Sequence, residues 1–166
     1  MLEPAIAHKD KLMLLFSKVI YKDDFYLYCG YPHDTSLPCF DQNENYWYRY
    51  AIMDGERCIG YLSYYIDPNV ECVSRFGLYS FDRGNPIIGR DLFRKMEELV
   101  SLYHRVEWCA IEGNPVIRHY DKFCKKHGGR KIELRDATKD NYGKFRNSYT
   151  YEIINAEIGA EHWKGA

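Results

Sequence analysis

At 166 residues, with 46% hydrophobic and 28% charged positions, the chain is long enough for one self-supporting core. It is neither disordered nor membranous in composition. A formal net charge of −1 excludes a protein whose main work is gripping phosphate backbones, so no nucleic-acid partner is expected. Sixteen tyrosines and eight phenylalanines predict a core or cleft with many aromatic walls.

In chain order, Pro4-Ala5-Ile6-Ala7 reads as a short first strand. Leu12, Leu15, Phe16, Val19 and Ile20 recur at helical spacing, which predicts an amphipathic helix closed by Asp23-Asp24. Phe25 to Phe40 is aromatic and broken by Gly30, Pro32 and Pro38, a loop or ragged second helix. Residues 46–53 and 56–67 are rich in aromatic and β-branched residues and flank Asp54-Gly55, a tight-hairpin signal. A third strand of the meander runs from Val70 to Ser80, Asp82 to Gly89 is a loop, and Asp91 to Tyr103 is a helix. A strand over Val106–Ile111 breaks at Gly113-Asn114-Pro115, a second helix stops at Gly128-Gly129, and two strands close around Lys144. The order is strand, helix, three-strand meander, helix, strand, helix, two strands: one α/β domain over residues 1–166, with a mixed sheet and no repeat or linker.

The six cysteines, Cys29, Cys39, Cys58, Cys72, Cys109 and Cys124, form no C-x-x-C pair. The chain does not need disulfides for stability, and no His/Cys spacing matches a zinc site, so no metal is expected. The N-terminus carries an acid and a proline early, unlike a signal peptide, and no apolar run approaches the ~20 residues of a spanning helix. The expectation is a reduced, cytoplasmic protein with no membrane partner.

Two segments carry chemistry. Arg83-Gly84 and Ile88-Gly89-Arg90 lie between a strand and a helix, where unpaired N–H groups at the positive end of the helix dipole suit a phosphate. Asn114 precedes a helix containing Arg118-His119-Tyr120-Asp121-Lys122. Without further context, the first is an ordinary loop, Asn114 is a turn residue before Pro115, and Tyr120 is a helix tyrosine packed on the sheet. Glu71, Glu107 and Glu112 border strands and are carboxylates able to serve as a base, or solvated edge residues.

Taken together, this element order resembles the GNAT (Gcn5-related N-acetyltransferase) superfamily. The last strands, with Leu134-Arg135-Asp136, Gly143-Lys144-Phe145 and Tyr149-x-Tyr151, are similar to the ribosomal-protein and spermidine N-acetyltransferase branch. The loop differs from the family's Q/R-x-x-G-x-G/A by one residue, and Pro86-Ile87 replaces a glycine. The resemblance implies an acyl-CoA N-acyltransferase fold: a mostly antiparallel sheet whose fourth and fifth strands splay apart, with flanking helices. It implies acetyl-CoA as co-substrate and acetyl transfer to a primary amine by direct attack, the acceptor being a small molecule or a peptide. A homodimer is compatible with it, and so is a GNAT-shaped binding module without activity. In this picture Leu78, Tyr79 and Ser80 pair with pantetheine. Arg83, Gly84, Ile88, Gly89 and Arg90 hold the pyrophosphate, and Asn114 contacts the ligand. Tyr120 protonates the leaving thiolate and Glu71 acts as base.

Overall fold

The structure, a computed structural model, describes residues 1–161. Residues 162–166 of the expected domain lie outside the described residues. Seven strands form one sheet in the order β1-β2-β3-β4-β5-β7-β6. They are β1 (Leu2–Pro4), β2 (Trp47–Asp54), β3 (Arg57–Asp67), β4 (Cys72–Ser80), β5 (Arg105–Ile111), β6 (Arg130–Lys139) and β7 (Phe145–Ile154). Every neighbouring pair is antiparallel except β4 and β5. The helices are α1 (Lys9–Ser17), α2 (Tyr26–Cys29), α3 (Pro86–Leu102), α4 (Ile117–Lys126) and α5 (Ala156–Glu161).

The alternation of side chains along the strands splits the core into two layers. On one face, Ile52, Leu62 and Tyr64 of the meander and Trp108 and Tyr151 of β5 and β7 pack beneath Leu92, Met96 and Leu99 of α3 and Tyr120 and Phe123 of α4. On the other, Ala51, Met53, Tyr61 and Tyr79 pack beneath Leu12 and Phe16 of α1. Phe16 is the hub of the second layer: the rings of Phe25, Tyr28, Phe40, Tyr61, Tyr79 and Phe81 surround it at 5.0–6.4 Å. Edge and tilted aromatic pairs of this kind each add about 0.5–1.5 kcal/mol beyond burial. The Tyr61 hydroxyl meets its need for a partner by donating to the Cys39 carbonyl at 2.8 Å.

Three local expectations shift. The first strand is Leu2–Pro4, and Ala5–His8 form a 3₁₀ turn instead. Helix α1 ends at Ser17, short of Asp23-Asp24, because Lys18 and Val19 bond back three residues and tighten the chain out of the helix. Val19 and Ile20 still reach the core, but from the turns that follow. Helix α3 begins at Pro86, five residues before the expected Asp91. Proline suits the first helical position because its missing N–H has no partner there in any case, and Asn85 caps the end by accepting the Ile87 N–H at 3.0 Å. No described helix is long and apolar enough to cross a membrane, and the six cysteines are free thiols.

Candidate active site

Strands β4 and β5 lie parallel but pair only through Cys72–Arg105 and Val73–Val106. From Ser74 to Ser80, β4 has β3 on one side and, among the described residues, no strand on the other, while β5 continues against β7 through Ile111. This is the splay expected between the fourth and fifth strands. A bulge marks its start: Tyr64 of β3 faces both Arg75 and Phe76 of β4. Arg75 there takes φ +53°, a conformation costly for a residue with a Cβ. Its guanidinium lies over the rings of Trp47 and Tyr65 at 5.8 and 5.7 Å, which helps hold it.

The walls of the opening differ on the two faces. On the α3/α4 face, Tyr120 is buried between the rings of Phe93, Trp108 and Tyr151 at 6.2, 5.8 and 5.8 Å. Burial pushes its phenol well above the ordinary tyrosine range. Two polar atoms near the same layer lack any partner among the described residues: Trp108 Nε1 and Ser80 Oγ. Leaving a buried donor unmet costs about 1–3 kcal/mol, and in native proteins such atoms call for an explanation, a ligand among them. On the opposite face, α2 lies across the opening against β4 and β5. Gly77 makes this possible, because a Cβ there would meet Ser63 Oγ at 3.0 Å and the Tyr28 ring and hydroxyl at 3.4 and 3.5 Å. Burial raises the Tyr28 phenol well above its usual range.

The start of α3 is less open than an empty phosphate cradle. Ile87 N–H is taken by Asn85 Oδ1 and Ile88 N–H by the Asn85 carbonyl at 3.2 Å. Pro86 contributes no donor. Ile88 and Gly89, expected in a loop, close the first turn of α3, and Arg90 follows them in the helix. The Arg90 side chain stays 61% exposed while its Nε donates to the buried Asp91 at 3.0 Å. Gly84 takes φ +87° in the turn, as a glycine can. Arg83 turns away to Asp24 at 2.5 Å, beside a cavity of about 280 Å³ that Lys22, Tyr79 and Ser80 also line.

The structure does not bring Glu71 to the opening. Glu71 precedes β4 at its paired end, where its carbonyl accepts the Arg105 N–H at 3.2 Å. Five strand residues lie between it and Gly77, a span of about 20 Å. Glu112, which follows β5 directly, is at the splayed end instead, and accepts the Asn147 N–H at 3.1 Å. Asn114 caps the next turn, its Oδ1 accepting the Val116 N–H at 3.1 Å. Leu78, Tyr79 and Ser80 lie on the unpaired length of β4. Sequence reasoning missed Tyr28 and Trp108; the glycine inside Phe76-Gly77-Leu78 was the available signal, since a strand glycine often marks a close approach. Among the described residues no cluster of His, Cys, Asp and Glu converges to hold a metal.

The chain matches no protein-family profile and no curated protein sequence. Solved structures resemble it closely in shape. A ribosomal-protein-alanine N-acetyltransferase from Brucella melitensis superposes with a TM-score of 0.67 at 14% identity, covering 93% of this chain and 99% of that one. A structure described as a probable acetyltransferase of the GNAT family, from Chromobacterium violaceum, gives 0.64 at 16% identity, covering 96% and 88%. The spermidine/spermine N-acetyltransferase SpeG from Vibrio cholerae gives 0.55 at 14% identity, covering 71% of each chain. Of two further acetyltransferase structures the chain spans 64% and 61% of the length. The seven-stranded sheet with its single parallel, splayed pair is therefore the GNAT acyltransferase fold.

Proposed function

We propose that the protein is an acyl-CoA-dependent N-acyltransferase that moves an acetyl group from acetyl-CoA to a primary amine by direct attack in a ternary complex. The observation that carries this reading is the unpaired edge of β4 from Ser74 to Ser80, bordered by the partnerless Ser80 Oγ and Trp108 Nε1. An amide-bearing pantetheine chain fits such an edge as an added strand would. Leu78, Tyr79 and Ser80 are the residues that would pair with it. The turn at Arg83 and Gly84 and the first turn of α3, with Ile88, Gly89 and the exposed guanidinium of Arg90, would face the pyrophosphate. Asn114 shapes the β5–α4 turn at the same end.

Acetyl-CoA supplies the thioester carbonyl. The attacking amine must be neutral, so its proton has to leave. Glu112 at the splayed end of β5 suits that role, through water, better than Glu71 at the paired end. As the C–N bond forms and the C–S bond breaks, the departing sulfur needs a proton or a hydrogen bond. Burial keeps the Tyr120 phenol protonated, so it is a donor throughout the working pH range. A transferase of this kind works where acetyl-CoA is made and used, which fits a cytoplasmic location.

The test is coenzyme A release with small primary amines, comparing the wild type with Tyr120→Phe. The variant should lose about tenfold or more in turnover while binding acetyl-CoA about as well. Equal turnover would remove Tyr120 from the chemistry. One observation favours a second reading, a GNAT-shaped binding module: the amides at the start of α3 are committed to Asn85, and Arg83 is committed to Asp24. Undetectable acetyl-CoA binding would select it.

A further inference from the structure

Two arginines share one tryptophan at the closed end of the splay. Side chains alternate along a strand, so Trp47 and Arg49 stand on the same side of β2 as Ala51, and Tyr65 on the same side of β3 as Tyr61, the side that carries α1. The Arg49 guanidinium lies over the Trp47 ring at 5.5 Å and that of Arg75 at 5.8 Å. Arg75 also lies over Tyr65 at 5.7 Å. Neither arginine has a carboxylate at ion-pair distance among the described residues, where the arginines in ion pairs are others. Arg49 is buried and donates only to the Gln42 carbonyl, at 3.1 Å. Arg75 is exposed. Asp67, two residues beyond Tyr65 on β3, is taken by both N–H donors of Asn69 at 2.9 and 3.2 Å.

Like charges gathered on one ring repel each other, and a buried charge is costly unless it is paired. The rings offset part of that cost, and an anion would offset more. The backbone adds a second, independent sign. Arg75 holds φ +53°, and strain of this kind in a residue with a Cβ collects at ligand sites. The position also fits. Two residues past the last β4–β5 pair, Val73 with Val106, stand Arg75 on β4 and Trp108 on β5. Trp108 is the ring on which Tyr120 packs at 5.8 Å. Arg75 is therefore at the depth of the opening where Tyr120 would serve the thioester.

We propose that Arg75, backed by Arg49 and the rings of Trp47 and Tyr65, binds a carboxylate of the acceptor, so that the substrate is a small primary amine carrying its own acid group. The inference rests on the acyltransferase reading above. A guanidinium is a planar fork that can hold both oxygens of a carboxylate at once. Strands β3 and β2 stand one and two strand spacings from β4, about 5 and 10 Å. The amine reacts in the gap on the other side of β4, so the two ends of a fitting acceptor are several bonds apart.

The experiment follows coenzyme A release by the full chain with acetyl-CoA and three acceptors of one length: 6-aminohexanoate, 6-aminohexanamide and hexylamine. Wild-type protein should use the acid with kcat/KM about tenfold or more above the amide and hexylamine, mainly through a lower KM. In Arg75→Gln the acid and the amide should come within about twofold of each other. Arg75→Gly should do the same, and glycine accepts φ +53° without strain, which keeps the test usable if Arg75→Gln folds poorly. A wild type that does not prefer the acid, or a preference that persists in both variants, overturns the proposal. Acetyl-CoA binding is measured on the same samples by calorimetry. Intact binding without the preference, or with 6-aminohexanoate not turned over, defeats the anionic-acceptor inference alone. No binding defeats the transferase reading and the inference with it.

Discussion

Asn85→Ala separates what α3 needs for stability from what its N-terminus offers a phosphate. Asn85 Oδ1 accepts the Ile87 N–H at 3.0 Å, and its Nδ2 donates to Asp82 Oδ2 at 3.0 Å. Its backbone, at φ −67° and ψ 119°, is open to alanine without strain. Loss of an Asn cap costs about 1 kcal/mol, within a range of roughly 0.5–2. In a domain of this size that lowers Tm by about 2–4 °C. The same change frees the Ile87 N–H at the positive end of a 17-residue helix. If a phosphate oxygen takes it up, a hydrogen bond with a net worth of about 1 kcal/mol is gained, a roughly fivefold tighter Kd. Thermal unfolding followed by circular dichroism reads the first effect, and calorimetric titration of acetyl-CoA reads the second. The expected pattern is a less stable protein that binds acetyl-CoA more tightly. Unchanged stability would show that the cap contributes nothing. Weaker or equal binding by a folded variant would show that the start of α3 is not where the pyrophosphate rests.

Two further outcomes follow from the packing and the buried phenols. In Gly129→Ala the new Cβ would lie 2.5 Å from the Glu152 carbonyl, 2.7 Å from Cys124 Sγ and 2.8 Å from Ile153 Cγ1. The overpacking, about 1–3 kcal/mol, exceeds the ~0.4–1 kcal/mol gained through the unfolded chain, so the urea midpoint falls. Adding Cys124→Ala should recover only part of the loss, because the nearest clash is with backbone; a midpoint at or above wild type would contradict the packing. On the alkaline side, burial raises Tyr61 to about 12 and pushes Tyr28 and Tyr120 up as well. Each folded pKa exceeds the unfolded value near ~10. The stability they contribute is therefore complete below pH ~10 and is lost as pH rises through the folded values, at about 1.4 kcal/mol per pH unit for each phenol. Urea midpoints should hold between pH 8 and 9 and fall above ~10; a midpoint constant to pH ~12 would contradict the burial of these hydroxyls.

Local signals carried much of this fold. Asp54-Gly55 between two aromatic runs gave the β2–β3 hairpin, and the apolar stripe of α3 and the break at Gly113-Asn114-Pro115 gave the β4-to-α4 order. The splay could be reached only through resemblance, because strand pairing between residues 33 apart, Cys72 with Arg105 and Val73 with Val106, leaves no periodic trace. The start of α3 lies within the stretch expected as a loop, Asp82 to Gly89, because Pro86 at the first helical position starts the helix. Glu71 was chosen for its closeness in sequence to the strand beside the cleft. The direction of β4 and β5 puts that end of the strand where the pair is closed, and favours Glu112. The docking of the β6–β7 hairpin tip on Asp23 and His33 was invisible for the same reason as the splay: Asn141 and Tyr142 reach partners more than a hundred residues away.

The most direct test of the acyltransferase reading is calorimetric titration of acetyl-CoA into the purified protein, with desulfo-CoA as control. A dissociation constant on the order of micromolar, about −8 kcal/mol, is the predicted result. It would show that the open edge of β4 and the first turn of α3 hold the co-substrate despite Pro86 and the Asn85 cap. No heat of binding at millimolar ligand would contradict the account and leave the GNAT fold serving as a binding module.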